Sequence, residues 1–197
     1  MSNIEIKEKP LWVSWEGIHE LLWKAHEKNR EQGINMKFPS LPGDEIRKRI
    51  EGQGKMFVAL DGNKLVGAAA LKVKRMFLWC GKHKYAYLCF AGVLPEYSGK
   101  GIYNTLLTHI EREAQKIGQN CVMFDTHEMN HRLIGINKKA GYQMVDILIW
   151  KDHYNVVMVK WLSGCPYSDW YCRIQFLVHK WYRKLRFKPG RIKRLGI

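Results

Sequence analysis

The stretch VLPEYSGKGIYNTLL, residues 93–107, decides how this chain reads. An apolar run reaches Pro95, two glycines flank a lysine at Gly99, Lys100 and Gly101, and a helical pattern begins at once. A helix start leaves its first backbone N–H groups without intrahelical partners and carries about half a positive charge. Glycines reach positive φ and let a backbone approach an anion closely. The junction therefore predicts a phosphate cradle built from backbone N–H groups, with Lys100 as a point charge at its mouth. It is not a nucleotide P-loop, because G-x-x-x-x-G-K-[ST] is absent, and Asn104 occupies the third glycine of G-x-G-x-x-G. Taken alone, the loop also fits a strand–helix turn with no ligand.

Upstream, YAYLCFAGVL (85–94) reads as a strand too apolar to be exposed on either face. It is half of the roughly 20 residues a membrane span needs. Downstream, Leu106, Leu107, Ile110 and Ala114 stripe a helix over 101–117, with Gly118 as its stop. KMFVAL (55–60) and KLVGAAALKV (64–73) predict two strands joined by the turn DGNK, and GKHK (81–84) predicts another turn. CVMF (121–124) reads as a buried strand, 130–140 as a helix ended by Gly141, and YQMVDILIW and VVMVKWL as two last strands. Before all of these, a strand within 4–12 is interrupted at Pro10. Ser14 then caps a helix that carries Ile18, Leu21, Leu22 and Ala25 and runs to Gly33, and a short polar helix covers 44–51. Several connections are too short for crossovers. The order predicts an α/β fold of the α+β type, with a mixed, mostly antiparallel sheet flanked by helices.

The 197 residues, 46% of them hydrophobic, suffice for one domain with a real core, placed at 1–162, and an extension at 163–197. The N-terminus lacks a signal-peptide layout, which predicts a cytoplasmic protein. Five cysteines (Cys80, Cys89, Cys121, Cys165, Cys172) are odd in number and never spaced C-x-x-C, so they read as reduced thiols. The histidines lack metal-ligand spacing, and no metal is expected.

The net charge is +15, and from residue 163 onward nine Lys or Arg face one acid, Asp169, a net +8. In that extension Ser168 is a good helix cap, and Trp170, Ile174, Leu177, Trp181 and Leu185 fall at helical spacing. Three readings stay open. The stripe packs on the domain or on a second subunit, as in a homodimer. It lies on an anionic membrane, at the inner membrane face. Or it binds nucleic acid, the weakest of the three because charge alone supports it.

Residues 93–107 resemble the acyl-coenzyme A pyrophosphate loop of the GCN5-related N-acetyltransferase (GNAT) superfamily, V-x-P-x-[YF]-[RQ]-G-x-G-[IL]-[GA] followed by a helix. Val93, Pro95, Tyr97, Gly99, Gly101 and Ile102 match, while Ser98 replaces Arg or Gln and Tyr103 replaces Gly or Ala. MFVALDGNKLVGAAAL resembles the family's preceding strand pair. NHRLIGINKKAGY resembles its later helix, with Asn130 eleven residues before Gly141. The resemblance covers about 55–162, with a weaker helical match before it. It implies a sheet splayed between the fourth and fifth strands and pantetheine in that wedge. It implies direct transfer of an acyl group, most simply acetyl from acetyl-CoA, to an amine on a small-molecule or a sugar- or lipid-linked acceptor. It assigns Ala91, Val93, Ser98, Gly99, Lys100, Gly101, Ile102, Tyr103 and Asn130 to the acyl-CoA.

The transfer chemistry needs a base for the amine, a donor for the oxyanion and an acid or donor for the leaving thiolate. Where family members often carry a tyrosine for the thiolate, this chain has Asn137, which can donate a hydrogen bond but not act as an acid. Tyr142, Tyr103 and Tyr154 are the alternative proton sources. The family's frequent glutamate on the fourth strand is missing, because 85–93 holds no carboxylate. The base candidates are then Asp125, His127 and Glu128 in DTHE, with His127 and Glu128 preferred, or water alone. Asn130 also reads as an N-cap. These departures keep two alternatives open: a non-catalytic acyl-CoA binder, and a membrane- or nucleic-acid-surface module on the same fold.

Overall fold

The computed structural model describes residues 4–34, 38–78, 81–149 and 153–163, and in the extension 174, 177, 178, 180–182 and 185; at 75–78 and 81–84 only the backbone is described. Ser168, Trp170, most of the basic residues of the extension, and Cys80, Cys165 and Cys172 lie outside the described residues. Cys89 is half-buried and Cys121 buried. The chain divides into two compact units, Met1–Val122 and Met123–Ile197. The class is the expected one, α/β with a mixed, mostly antiparallel sheet.

In the first unit the strands β1 (Ile4–Glu8), β2 (Gly54–Asp61), β3 (Lys64–Leu78) and β4 (Gly81–Val93) are neighbours in that order, each pair antiparallel. The helices are α1 (Trp15–Ala25), α2 (Glu27–Glu31), α3 (Gly43–Ile50) and α4 (Ile102–Lys116). Ser14 caps α1, its Oγ accepting from the Gly17 N–H at 2.9 Å. Ile18, Leu21 and Leu22 of α1 and Ile46 and Ile50 of α3 then form one cluster with Met56, Val58, Leu60, Ala68, Ala70 and Phe90. The opposite face is covered by α4, whose Leu106 and Ile110 are fully buried. The edge of His109 meets the Phe57 ring at 4.8 Å. Side chains alternate across a strand, so helices on both faces explain why Met56 through Leu60 are all buried. Each such buried aliphatic side chain contributes about 1.5–3 kcal/mol.

The second unit holds β5 (Cys121–His127, which begins at the unit boundary), α5 (His131–Lys139), β6 (Gln143–Ile149) and β7 (Tyr154–Trp161). Its strand order is β5-β7-β6, with β6 and β7 antiparallel from Gln143↔Val159 to Ile149↔Tyr154.

Three expectations are corrected. The first helix does not run to Gly33: it stops at His26, whose φ of −105° and ψ of 12° end α1, and α2 restarts at Glu27. Residues 81–84 are not a turn but the start of β4, because pairing with β3 continues out to Leu78↔Gly81 and overrides the local turn signal. The fifth strand runs three residues past CVMF, so Asp125, Thr126 and His127 are strand residues.

Candidate active site

The glycine loop sits on the β2–β3 hairpin of the first unit. After β4, Pro95–Tyr97 make one 3-10 turn, closed by the Ser98 N–H donating to the Pro95 carbonyl at 3.0 Å. The Tyr97 hydroxyl donates to Asp61 Oδ2 at 2.9 Å, and this bond, with burial, raises the phenol's pKa above its ordinary value. The Lys64 and Lys100 ammonium groups lie 5.1 and 4.4 Å from the Tyr97 ring centroid. Tyr97 therefore anchors the loop and gathers two cations beside it.

Gly99 and Gly101 have φ of 81° and 78°, the region that suits glycine. A Cβ added at either would meet no heavy atom within 4 Å. The space beside the loop is open, so the glycines serve backbone conformation and approach rather than internal packing. Gly101 is the N-cap of α4 and brings no side-chain cap. The Thr105 N–H and hydroxyl reach back to the Gly101 carbonyl at 3.0 and 3.2 Å. A 15-residue helix thus begins at a glycine, with the exposed Lys100 next to it. Ser98 is exposed and Tyr103 half-buried.

Ala91 and Val93 lie half-buried on β4. The register with β3 shifts there: Ala68 faces Gly92 and Ala70 faces Cys89, so Phe90 and Ala91 share one partner position. Phe90 has φ of 50°, the described non-glycine residue with positive φ. The bulge is held by a residue that no sequence motif marks. His26 Nε2 donates to the Ala91 carbonyl at 2.9 Å, and its Nδ1 accepts from the Asn29 amide at 3.0 Å. An amide nitrogen can only donate, which fixes the proton on Nε2. The ring is buried, edge-on to Phe38 at 4.9 Å, and burial lowers its pKa.

The remaining candidates belong to the second unit. Asn130 is buried at the start of α5, with Oδ1 accepting from the Leu133 N–H at 3.3 Å and Nδ2 donating to Thr126 Oγ1 at 3.2 Å. It is the N-cap that its position predicts. Asn137 is fully buried, and its Nδ2 donates to the Leu133 carbonyl at 2.9 Å, folding the amide back along its own helix.

The DTHE segment separates by partner. Asp125 Oδ2 accepts from the Asn155 amide at 2.6 Å, a bond between β5 and β7. His127 is buried, and its Nδ1 accepts from the Met129 N–H at 3.1 Å, so the neutral ring carries its proton on Nε2. The ring stacks on His153 at 4.4 Å between centroids and 19° between planes. Glu128 is doubly tied to Tyr154. Its N–H donates to the Tyr154 carbonyl at 3.1 Å, and its carboxylate accepts from the Tyr154 hydroxyl. Burial first, then that hydrogen bond, pushes the Tyr154 pKa up to about 12. Tyr154 therefore keeps its proton at any physiological pH and acts as a hydrogen-bond donor. Tyr142 is buried, its ring packed edge-on against Phe124 at 5.4 Å. The structure thus brings His127, Glu128, His153 and Tyr154 together where β5 ends and β7 begins. His153, just before β7, and Tyr154, its first residue, could not be read from DTHE itself. Among the described residues no cluster of three His, Cys, Asp or Glu side chains has the geometry of a metal site.

The acetyltransferase (GNAT) family model matches residues 15–142. The chain belongs to the GNAT acetyltransferase family. The match spans α1 through Tyr142 and takes in the glycine loop, α4, β5 and α5, so the N-terminal helices are part of the family domain. Solved GNAT structures share the fold. An acetyltransferase from Streptococcus agalactiae aligns with a TM-score of 0.63 at 20% identity, over 82% of this chain and 99% of its own. A GNAT family acetyltransferase from Elizabethkingia anophelis, solved with acetyl-CoA bound, aligns at 0.59 and 15%, over 82% and 99%. The ribosomal-protein-S18-alanine N-acetyltransferase from Escherichia coli aligns at 0.60 and 14%, over 84% and 98%.

Proposed function

We propose that this GNAT member transfers an acetyl group from acetyl-CoA directly to an amine of a small-molecule or a sugar- or lipid-linked acceptor. The observation that carries this reading is the anchored loop: two glycines at positive φ beside open space, a helix start with no side-chain cap, and Lys100 alongside. Such a loop offers backbone N–H groups and positive charge to a pyrophosphate. Ser98 in place of Arg or Gln costs a side-chain contact but leaves that backbone cradle intact. In the transfer step, the amine nitrogen forms a bond to the thioester carbonyl carbon, the carbon–sulfur bond breaks, and the amine loses a proton. Glu128 is the preferred acceptor of that proton, because His127 already carries hydrogen on Nε2 and uses Nδ1 for the Met129 N–H. The family resemblance supports a backbone N–H of the fourth strand as the oxyanion donor.

The test is thermal. Acetyl-CoA at 100 times its Kd should stabilise the fold by about 2.7 kcal/mol and raise Tm by several degrees. No shift would remove acetyl-CoA as ligand. With a shift in hand, a panel of amines assayed by release of the coenzyme A thiol should find an acceptor, and Glu128→Gln should lower kcat. The buried, back-bonded Asn137 at the position of the family's frequent tyrosine favours one second reading, a binder without turnover. That reading predicts the same thermal shift and no thiol release with any amine.

A further inference from the structure

We infer that the C-terminal extension docks this protein on an anionic membrane surface, through a helix lying in the interface rather than crossing it. Ile174, Leu177, Val178, Trp181, Tyr182 and Leu185 are all helical in the structure. At helical periodicity their spacing of 3, 1, 3, 1 and 3 falls on one stripe. Every one is exposed, from 38% at Ile174 to 67% at Trp181. These exposed apolar residues are available to a partner from outside the chain. Lys180, on the opposite flank of the helix, lies with its ammonium 5.8 Å from the ring centroid of Tyr154 on β7. That contact is consistent with the helix turning its apolar stripe outward.

Charge decides what covers the stripe. The extension carries nine Lys or Arg against one acid. A second copy would set two such tails side by side, with like charges opposed. Nucleic acid would satisfy the cations but leave Ile174, Leu177, Val178 and Leu185 in water. An anionic bilayer satisfies both at once: acyl chains take the stripe, Trp181 and Tyr182 sit at headgroup level, and the basic residues meet anionic headgroups. No described helix is long and apolar enough to span a bilayer. The inference does not depend on the transfer chemistry.

The full chain is sedimented with vesicles of phosphatidylcholine alone or of phosphatidylcholine and phosphatidylglycerol in equal parts. Binding is expected to the mixed vesicles only, and it should weaken as salt is raised. A Leu177→Glu, Trp181→Glu double variant should bind at least about tenfold more weakly, since it removes two apolar side chains from the stripe and adds two charges that anionic lipid repels. Its Tm should be unchanged, because both residues are exposed. Absence of binding to the mixed vesicles would overturn the inference. So would equal binding by the variant, which would mean charge acts alone. A dimer in sedimentation velocity that the double variant dissolves would reassign the stripe to a second copy. A nucleic-acid duplex retained by a protein that ignores vesicles would reassign the charge.

Discussion

Burial of His26 against the Ala91 carbonyl ties a titration to the shape of β4. Desolvation lowers the folded-state pKa, Arg30 lowers it further, and the bond to Ala91 opposes both. Below the unfolded value of about 6.5 the unfolded chain takes up a proton that the folded chain resists. The stabilisation is therefore complete above pH ~6.5 and is lost as pH falls toward the lower folded pKa. His109, lowered by its own burial, acts with the same sign. Tm measured across this range should fall on the acid side, and His26→Gln should flatten but not abolish the slope. An unchanged slope would show that His26 titrates freely. If the bulge matters for acyl-CoA, the same variant should also raise KM. At Gly101 an alanine meets no protein atom but must hold φ of 78°, which costs about 1–2 kcal/mol. Gly101→Ala should therefore lower Tm modestly and, on the proposed function, shrink the acetyl-CoA shift disproportionately, since the new methyl enters the open space beside the loop. Equal shifts in variant and parent would sink the loop's role. The glycine was legible in the sequence because a strand-to-helix turn needs positive φ locally. His26 was not, because its partner lies 65 residues away.

At the scale of elements, hydrophobic periodicity located α1, α4 and the strand cores, while the separate α2, which buries no residue, reads in the sequence as part of α1, and tertiary pairing set the strand ends. GKHK carries turn residues, yet it is drawn into β4 by a ladder to β3 that runs from Val93 to Gly81. DTHE reads as a loop after a short strand, yet its first three residues extend β5, and Asp125 is bonded to Asn155 of β7. The crossing of α1 over β4 depends on a missing side chain. A Cβ on Gly92 would come within 2.9 Å of Ala25 Cβ and 3.1 Å of Leu22 Cδ2. Gly92→Ala should destabilise by about 1–3 kcal/mol through overpacking, seen as a lower denaturation midpoint. A midpoint at or above the parent's would mean that α1 moves away without cost.

Among the described residues, buried hydrophobic side chains extend as far as Val159, and the family match ends at 142, while over half of the net charge lies beyond 162. A chain ended after Ser163 should retain the acetyl-CoA shift in Tm. Loss of the half-buried contact between Lys180 and Tyr154 should cost only about 0.5–2 kcal/mol. Collapse of the truncated chain in a melting experiment would show that the extension belongs to the core. The sequence by itself determined the α/β class, the glycine loop and the uneven charge, because periodicity, positive-φ turns and composition are local properties of a chain. Only the tertiary structure decided the partners: His26 beneath the β4 bulge, Tyr154 on Glu128 and His153 on His127, and it alone showed that the described apolar residues of the extension are exposed. Contacts between residues far apart in sequence depend on register and packing, and these exist only once the strands have paired.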